Sequence, residues 1–255
     1  MEAVFSEPAT VEGWLRTEAA LARAQADAGE LAPERAAIIA DACRLDNVDL
    51  PALWAEMANV GYPILPLVRQ LTERLPEHAR GSLHYGATTQ DIKDTGLSLQ
   101  LSAALDRLVE LTDELGDALA QQVERHAETV MAGRTHGQQA VPTTLGAKLA
   151  TFLRQVSRLG LELPALRDAV CLVSLHGAAG TSAGFGPRVD EVRADMAGQL
   201  ELALPDGPWH VTRDGLANFA GACARASAVC ARLAREVIDL SRTEIGEIGE
   251  SAGHH

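Results

Sequence analysis

Between residues 97 and 123 the chain carries Leu97, Leu101, Leu105, Leu108, Leu111, Leu115, Leu119 and Val123, each three or four positions after the last. That spacing puts every one of these side chains on a single face of an α-helix. The pattern predicts a helix from Asp94 to about Met131, roughly 35 residues and 50 Å long at 1.5 Å per residue. Globular proteins average about 11 to 12 residues per helix. A second long pattern runs through Leu145, Leu149, Phe152, Val156, Leu159, Leu163, Leu166 and Val170, with a kink expected at Pro164. A third is expected from Asp214 to Glu244. Helices this long satisfy their apolar stripes only by packing lengthwise. The expected fold class is therefore all-α, an elongated bundle of long helices.

Shorter helices come first. Residues 8 to 29 read as a helix ending at Gly29, with Leu15, Ala19, Ala22 and Ala26 in one stripe. Pro33 opens a second helix, and Pro51, Pro63 and Pro66 punctuate shorter ones. The expected division is a small helical N-terminal domain over 1–93 and a long-helix bundle over 94–255.

Composition narrows the function. Hydrophobic residues make up 47% of the chain and aromatics only 4%, so the core is built from Ala, Leu and Val. A formal charge of −13 argues against nucleic acid as a partner, since phosphate binding requires clustered Lys and Arg. Cys43, Cys171, Cys223 and Cys230 form no CxxC pair and read as buried free thiols, which fits a reducing, cytoplasmic setting. The start of the chain has no signal-peptide pattern and no apolar run approaches membrane-span length. The histidines show no metal-ligand spacing, so neither metal nor cofactor is expected. His126 reads as a surface residue and His176 as a structural one. The glycine-rich "HGAAGTSAGFGP" lacks the GK[ST] ending of a phosphate loop and reads as a turn between helices.

Two polar clusters stand apart: "HYGATTQDIKDTG" at 84–96 and "GRTHGQQAVPTT" at 133–144. Each is expected in a short link before a long helix, where unpaired N–H groups and the helix dipole favour anions. Capping by Asp94 or Thr95 in one, and by Thr143 or Thr144 in the other, explains one or two residues of each. It leaves His84, Thr88, Thr89, Gln90, Arg134, Thr135, His136 and Gln139 without a purpose. Two carboxylate-sized donor nests with two histidines suit a small anionic dicarboxylate.

These clusters resemble the motifs of the fumarase/aspartase superfamily, which includes the argininosuccinate and adenylosuccinate lyases. "TEAALARAQADAG" at 17–29 is similar to that group. "HGAAGT", "PWHVTRD" and "TEIGEIGE" look most like its 3-carboxy-cis,cis-muconate cycloisomerase subfamily. The resemblance implies β-elimination, its reverse addition, or cycloisomerisation, on a succinyl-type di- or tricarboxylate. It implies that Thr88, Thr89, Gln90, Thr135 and Gln139 stabilise the aci-carboxylate dianion. Donors aimed at such charge contribute about 3 to 4 kcal/mol each. By the same resemblance Arg134 and Arg213 bind substrate, although Arg213 has an acidic neighbour as its other reading. The resemblance also implies that His136 serves as, or helps position, the acid that protonates the leaving group, with His84 the next candidate.

The resemblance further implies a homotetramer with active sites shared between subunits. It implies a catalytic serine in a GSSxMPxKxN-like loop following "TEIGEIGESAG". The chain stops at His254 and His255, so it is expected to be the N-terminal part of a longer polypeptide and inactive alone. The motifs straddle subfamilies: "RTHGQ" looks like the amino-succinate lyases, whereas "MANVGYPILPLV" lacks their upstream histidine. Adenylosuccinate lyase, a succinate lyase with an amine or nitro leaving group, and an inactive scaffold remain alternatives.

Overall fold

The computed structural model describes residues 1–249; the final histidines and the rest of the C-terminal tail lie outside the described residues. Among the described residues nine α-helices and one β-hairpin follow in order. The first five helices are α1 Glu7–Asp27, α2 Pro33–Ala42, α3 Leu50–Val60, α4 Ile64–Arg74 and α5 Glu77–Arg80. Then come α6 Thr89–Arg125, β1 Val130–Thr135, β2 Gln138–Thr144, α7 Leu145–Val170, α8 Val189–Leu200 and α9 Asp214–Leu240. The all-helical expectation holds. Among the described residues no helix is long and apolar enough to cross a membrane.

The chain forms two compact units, one of 1–105 with 167–216 and the other of 106–166 with the segment that begins at Ala217. In the first, Val11, Trp14, Leu15 and Ala22 of α1 pack with Ile39, Leu53, Leu67, Leu71 and Ile92 in one buried cluster. The Trp14 and Trp54 rings meet edge to face at 5.9 Å. In the second, Leu119, Phe152, Val156 and Val229 form the core, and the Arg232 guanidinium lies 4.0 Å over the Phe152 ring.

The long helices occur where the leucine spacing puts them, but their ends differ. α6 starts at Thr89, five residues before Asp94. Asp94 and Thr95 are therefore interior helical residues and cap nothing; Asp91 bonds the Thr88 N–H instead, at 3.1 Å. At its other end α6 stops at Arg125, because residues 130–144 pair as an antiparallel hairpin. Thr144 does cap α7, accepting from the Ala147 N–H at 3.1 Å. α9 ends at Leu240 rather than Glu244. α8, unread in the sequence, buries Val192, Met196, Ala197 and Leu200. The cysteines are free as expected, but only Cys171 is buried, and Cys230 is exposed.

Candidate active site

The first motif is organised by Asp91. This side chain is fully buried in the first turn of α6, where an acidic group complements the positive helix end. Its Oδ2 accepts from the N–H groups of Thr88 at 3.1 Å and Gly177 at 2.9 Å. Its Oδ1 accepts from the His176 N–H at 2.9 Å and the Ser174 hydroxyl at 3.2 Å. The Thr88–Asp91 bond is half of a capping box. The other two main-chain bonds tie the glycine-rich segment to the start of α6. Thr95 adds a hydroxyl bond to the Ser174 carbonyl at 3.1 Å and accepts from the Ser174 N–H at 2.9 Å.

The result is a cleft of about 300 Å³ lined by Gly86, Ala87, Thr88, His176, Gly177 and, from the glycine-rich segment, Ala178, Ala179, Thr181, Ala183 and Gly184. Gly86 makes the close approach possible: its φ is +78°, and a Cβ there would lie 2.6 Å from the Phe185 ring. Gly96 serves packing instead, because a Cβ there would stand 2.7 Å from Trp14 Cδ1. A larger cavity, about 620 Å³, lies along 203–216 and Asp168. No residue of either motif lines it, so chemistry favours the smaller cleft.

Since capping uses the Asp91 carboxylate and the Thr88 main chain, the hydroxyls of Thr88 and Thr89 enter no hydrogen bond among the described residues. Gln90 donates to Asp94 Oδ1 at 2.7 Å. Arg213 grips the same carboxylate with Nη1 at 3.0 Å and Nη2 at 3.1 Å, and its guanidinium lies 5.6 Å from the centre of the Trp209 ring. Arg213 thus has the acidic neighbour that was its second reading.

His84 and His136 share an unusual backbone. Both are non-glycine residues in the left-handed region, with φ of 59° and 50°, a conformation in which His is enriched over bulkier residues. His84 Nδ1 lies 2.6 Å from Glu18 Oε1, across 66 residues of sequence. Burial pulls the His84 pKa down, but the charge and hydrogen bond of Glu18 and the charge of Asp91 outweigh it and leave it raised. His176 goes the other way: burial and the Arg193 charge push its pKa below the usual histidine value, favouring the neutral ring. Its Nε2 is buried without a partner among the described residues.

The second motif is a hairpin, not a helix-end link. Thr135 pairs with Gln138, leaving His136 and Gly137 (φ +75°) as a two-residue turn of the kind that matches strand twist. His136, Thr135 and Gln139 are exposed at its tip. Arg134 forms a two-pronged ion pair with Glu247 at 2.8 and 2.7 Å, tying the motif to "TEIGEIGE". That hydrogen bond is the main reason the Glu247 carboxyl is held below the usual range. The first motif belongs to one compact unit and the second to the other.

Sequence reasoning did not single out Glu18 or Asp91, and it gave His176 only a structural role. Asp91 carried a signal, lying three residues after Thr88 at capping-box spacing. Glu18 lay inside the "TEAALARAQADAG" stretch that resembles the family, but nothing in its spacing marked that one side chain.

Unused donors at the N-terminus of a long helix are in keeping with a lyase of carboxylate substrates, and comparison with known proteins gives the family. The family described as Lyase matches residues 1–253, and the chain belongs to this family, within the fumarase/aspartase superfamily. It is 41% identical to 3-carboxy-cis,cis-muconate cycloisomerase of Pseudomonas aeruginosa, covering 99% of this chain and 56% of that protein. It is 33% identical to N-acetyl-S-(2-succino)cysteine lyase of Enterococcus italicus, covering 98% of this chain and 55% of that one. The crystal structure of 3-carboxy-cis,cis-muconate lactonizing enzyme from Pseudomonas putida superposes with a TM-score of 0.94 at 38% identity, over 96% of this chain and 57% of that one. The chain thus spans just over half the length of the relatives it matches.

Proposed function

We propose that the protein catalyses β-elimination, or the reverse addition or cycloisomerisation, on a succinyl-type di- or tricarboxylate. The observation that carries this reading is the pair of uncommitted hydroxyls, Thr88 and Thr89, at the N-terminus of a 37-residue helix. Donors fixed there require no reorganisation as negative charge gathers on a substrate carboxylate, which is the condition for transition-state rather than ground-state binding. Thr135 and Gln139 of the hairpin supply further donors, and His136 the proton for the leaving group. The relatives support the substrate class: one is named for a carboxylated muconate, the other for a succinylated cysteine.

The test is a panel of 2-substituted succinates and 3-carboxymuconate offered to the full-length protein, with product followed by ultraviolet absorbance. Turnover of at least one member, lost in Thr88→Val, is expected. A folded protein inert to the whole panel contradicts the reading and returns the scaffold alternative.

A further inference from the structure

We propose, on the elimination reading above, that Glu18 is the positioning residue that fixes the ring of His84 and keeps it a cationic donor for a substrate carboxylate. Glu18 lies on α1, outside both motifs, among buried Thr17, Ala19, Ala20 and Leu21. Its side chain is wholly buried, whereas that of His84 keeps 20% of its surface exposed. A carboxylate taken out of water is costly unless it is paired. Here Oε1 meets His84 Nδ1 at 2.6 Å, and Oε2 has no partner among the described residues. The whole demand of that buried charge therefore falls on one imidazole.

The other carboxylate of the motif is placed differently. Asp91 spreads its charge over four donors, so it serves the backbone before it serves His84. Cys43, which also feels Glu18, has a thiol pushed up by burial and by that charge, so it is neutral and does not compete. With Nδ1–H donated to Glu18, the imidazolium has its second proton on Nε2, which makes no hydrogen bond among the described residues. The left-handed backbone at His84 is a conformation that surrounding contacts must hold in place, and the Glu18 contact is one of them. A role confined to packing would be met equally by an amide of the same shape.

The test is Glu18→Gln in the full-length protein, read first by NMR titration of histidine Cε1–H signals, with His84 assigned by a His84→Gln variant. The wild-type midpoint for His84 is expected above the ordinary value of about 6.5, and the variant's below it. The pH at which kcat/KM declines on the alkaline side should move down with it. At neutral pH kcat/KM should fall about 10- to 100-fold, as for other partners that orient a histidine. Glu18→Asp retains the charge, and should restore the raised midpoint more fully than the rate. It also keeps the test open should Glu18→Gln fail to fold. An unchanged His84 midpoint in a folded Glu18→Gln protein overturns the proposal. So does a shifted midpoint in an active enzyme whose pH profile stays put. Because the titration needs no turnover, a protein inert to every substrate would count against the elimination reading while the midpoints still report on the pair.

Discussion

Arg213 faces Asp94 with both arms of its guanidinium, Nη1 to Oδ1 at 3.0 Å and Nη2 to Oδ2 at 3.1 Å. The Asp94 side chain is 4% exposed and that of Arg213 37%. The pair is therefore screened on one side only. Replacing Arg213 with Met leaves a buried carboxylate with Gln90 as its remaining partner. The expected loss is about 1 to 3 kcal/mol, below the 3 to 5 of a fully buried pair. Thermal unfolding measures it. A variant with unchanged stability and a raised KM would instead give Arg213 the substrate role that the resemblance implies.

Thr88→Val and Thr89→Val remove hydroxyls that the fold does not use. Each should change stability by less than about 0.5 kcal/mol yet lower kcat by about 10² to 10³, the range for one lost oxyanion donor. Asp91→Ala should do the reverse of this separation. It frees the buried N–H groups of His176 and Gly177, each costing about 1 to 3 kcal/mol, so stability and activity should fall together. Denaturant midpoints beside kcat values distinguish the two patterns.

His136→Asn keeps a side chain that tolerates the left-handed backbone at the hairpin turn. Because His136 is exposed, folding should be unaffected while kcat drops by about 10² to 10⁴. Unchanged kcat would move the proton donor elsewhere, with His84 next.

The Glu18–His84 pair also sets a pH dependence of stability. The His84 pKa is raised in the folded protein, so the folded state holds this proton more tightly than the unfolded chain. The stabilisation is complete below the unfolded value of about 6.5 and is lost as pH rises through the higher folded value. Melting temperatures taken upward from about pH 6 should show this decline in wild type and not in Glu18→Gln.

Much of this architecture was legible in the sequence. The leucine spacing at 97–123 located α6, and Pro33 and Gly29 marked real helix boundaries, because such signals are local. The hairpin was missed for a local reason too: "MAGRTHGQQAVPTT" carries the β-branched residues and the His-Gly turn of a two-residue hairpin, but the helices on either side suggested a link. The contact between Glu18 and His84 had no sequence signature, since it joins two elements 66 residues apart through tertiary packing alone. Both polar motifs were visible as motifs. What each side chain is committed to, Arg134 to Glu247 and Arg213 to Asp94, was set by neighbours that no spacing rule specifies.

The quaternary reading has its own check. Sites shared between subunits, as the resemblance implies, require a tetramer of the full-length protein in light scattering; a monomeric mass rules out such sharing.

The account's centre is removal of the proton beside a carboxylate, and deuterium reports it directly. The full-length protein is run in D₂O in the addition direction, with the unsaturated acid from whichever panel substrate it turns over, and the product is read by NMR. One deuterium is expected at a single stereochemical position on the carbon next to the carboxylate, with incorporation suppressed in Thr88→Val. Product that forms with no deuterium at that carbon would contradict the account.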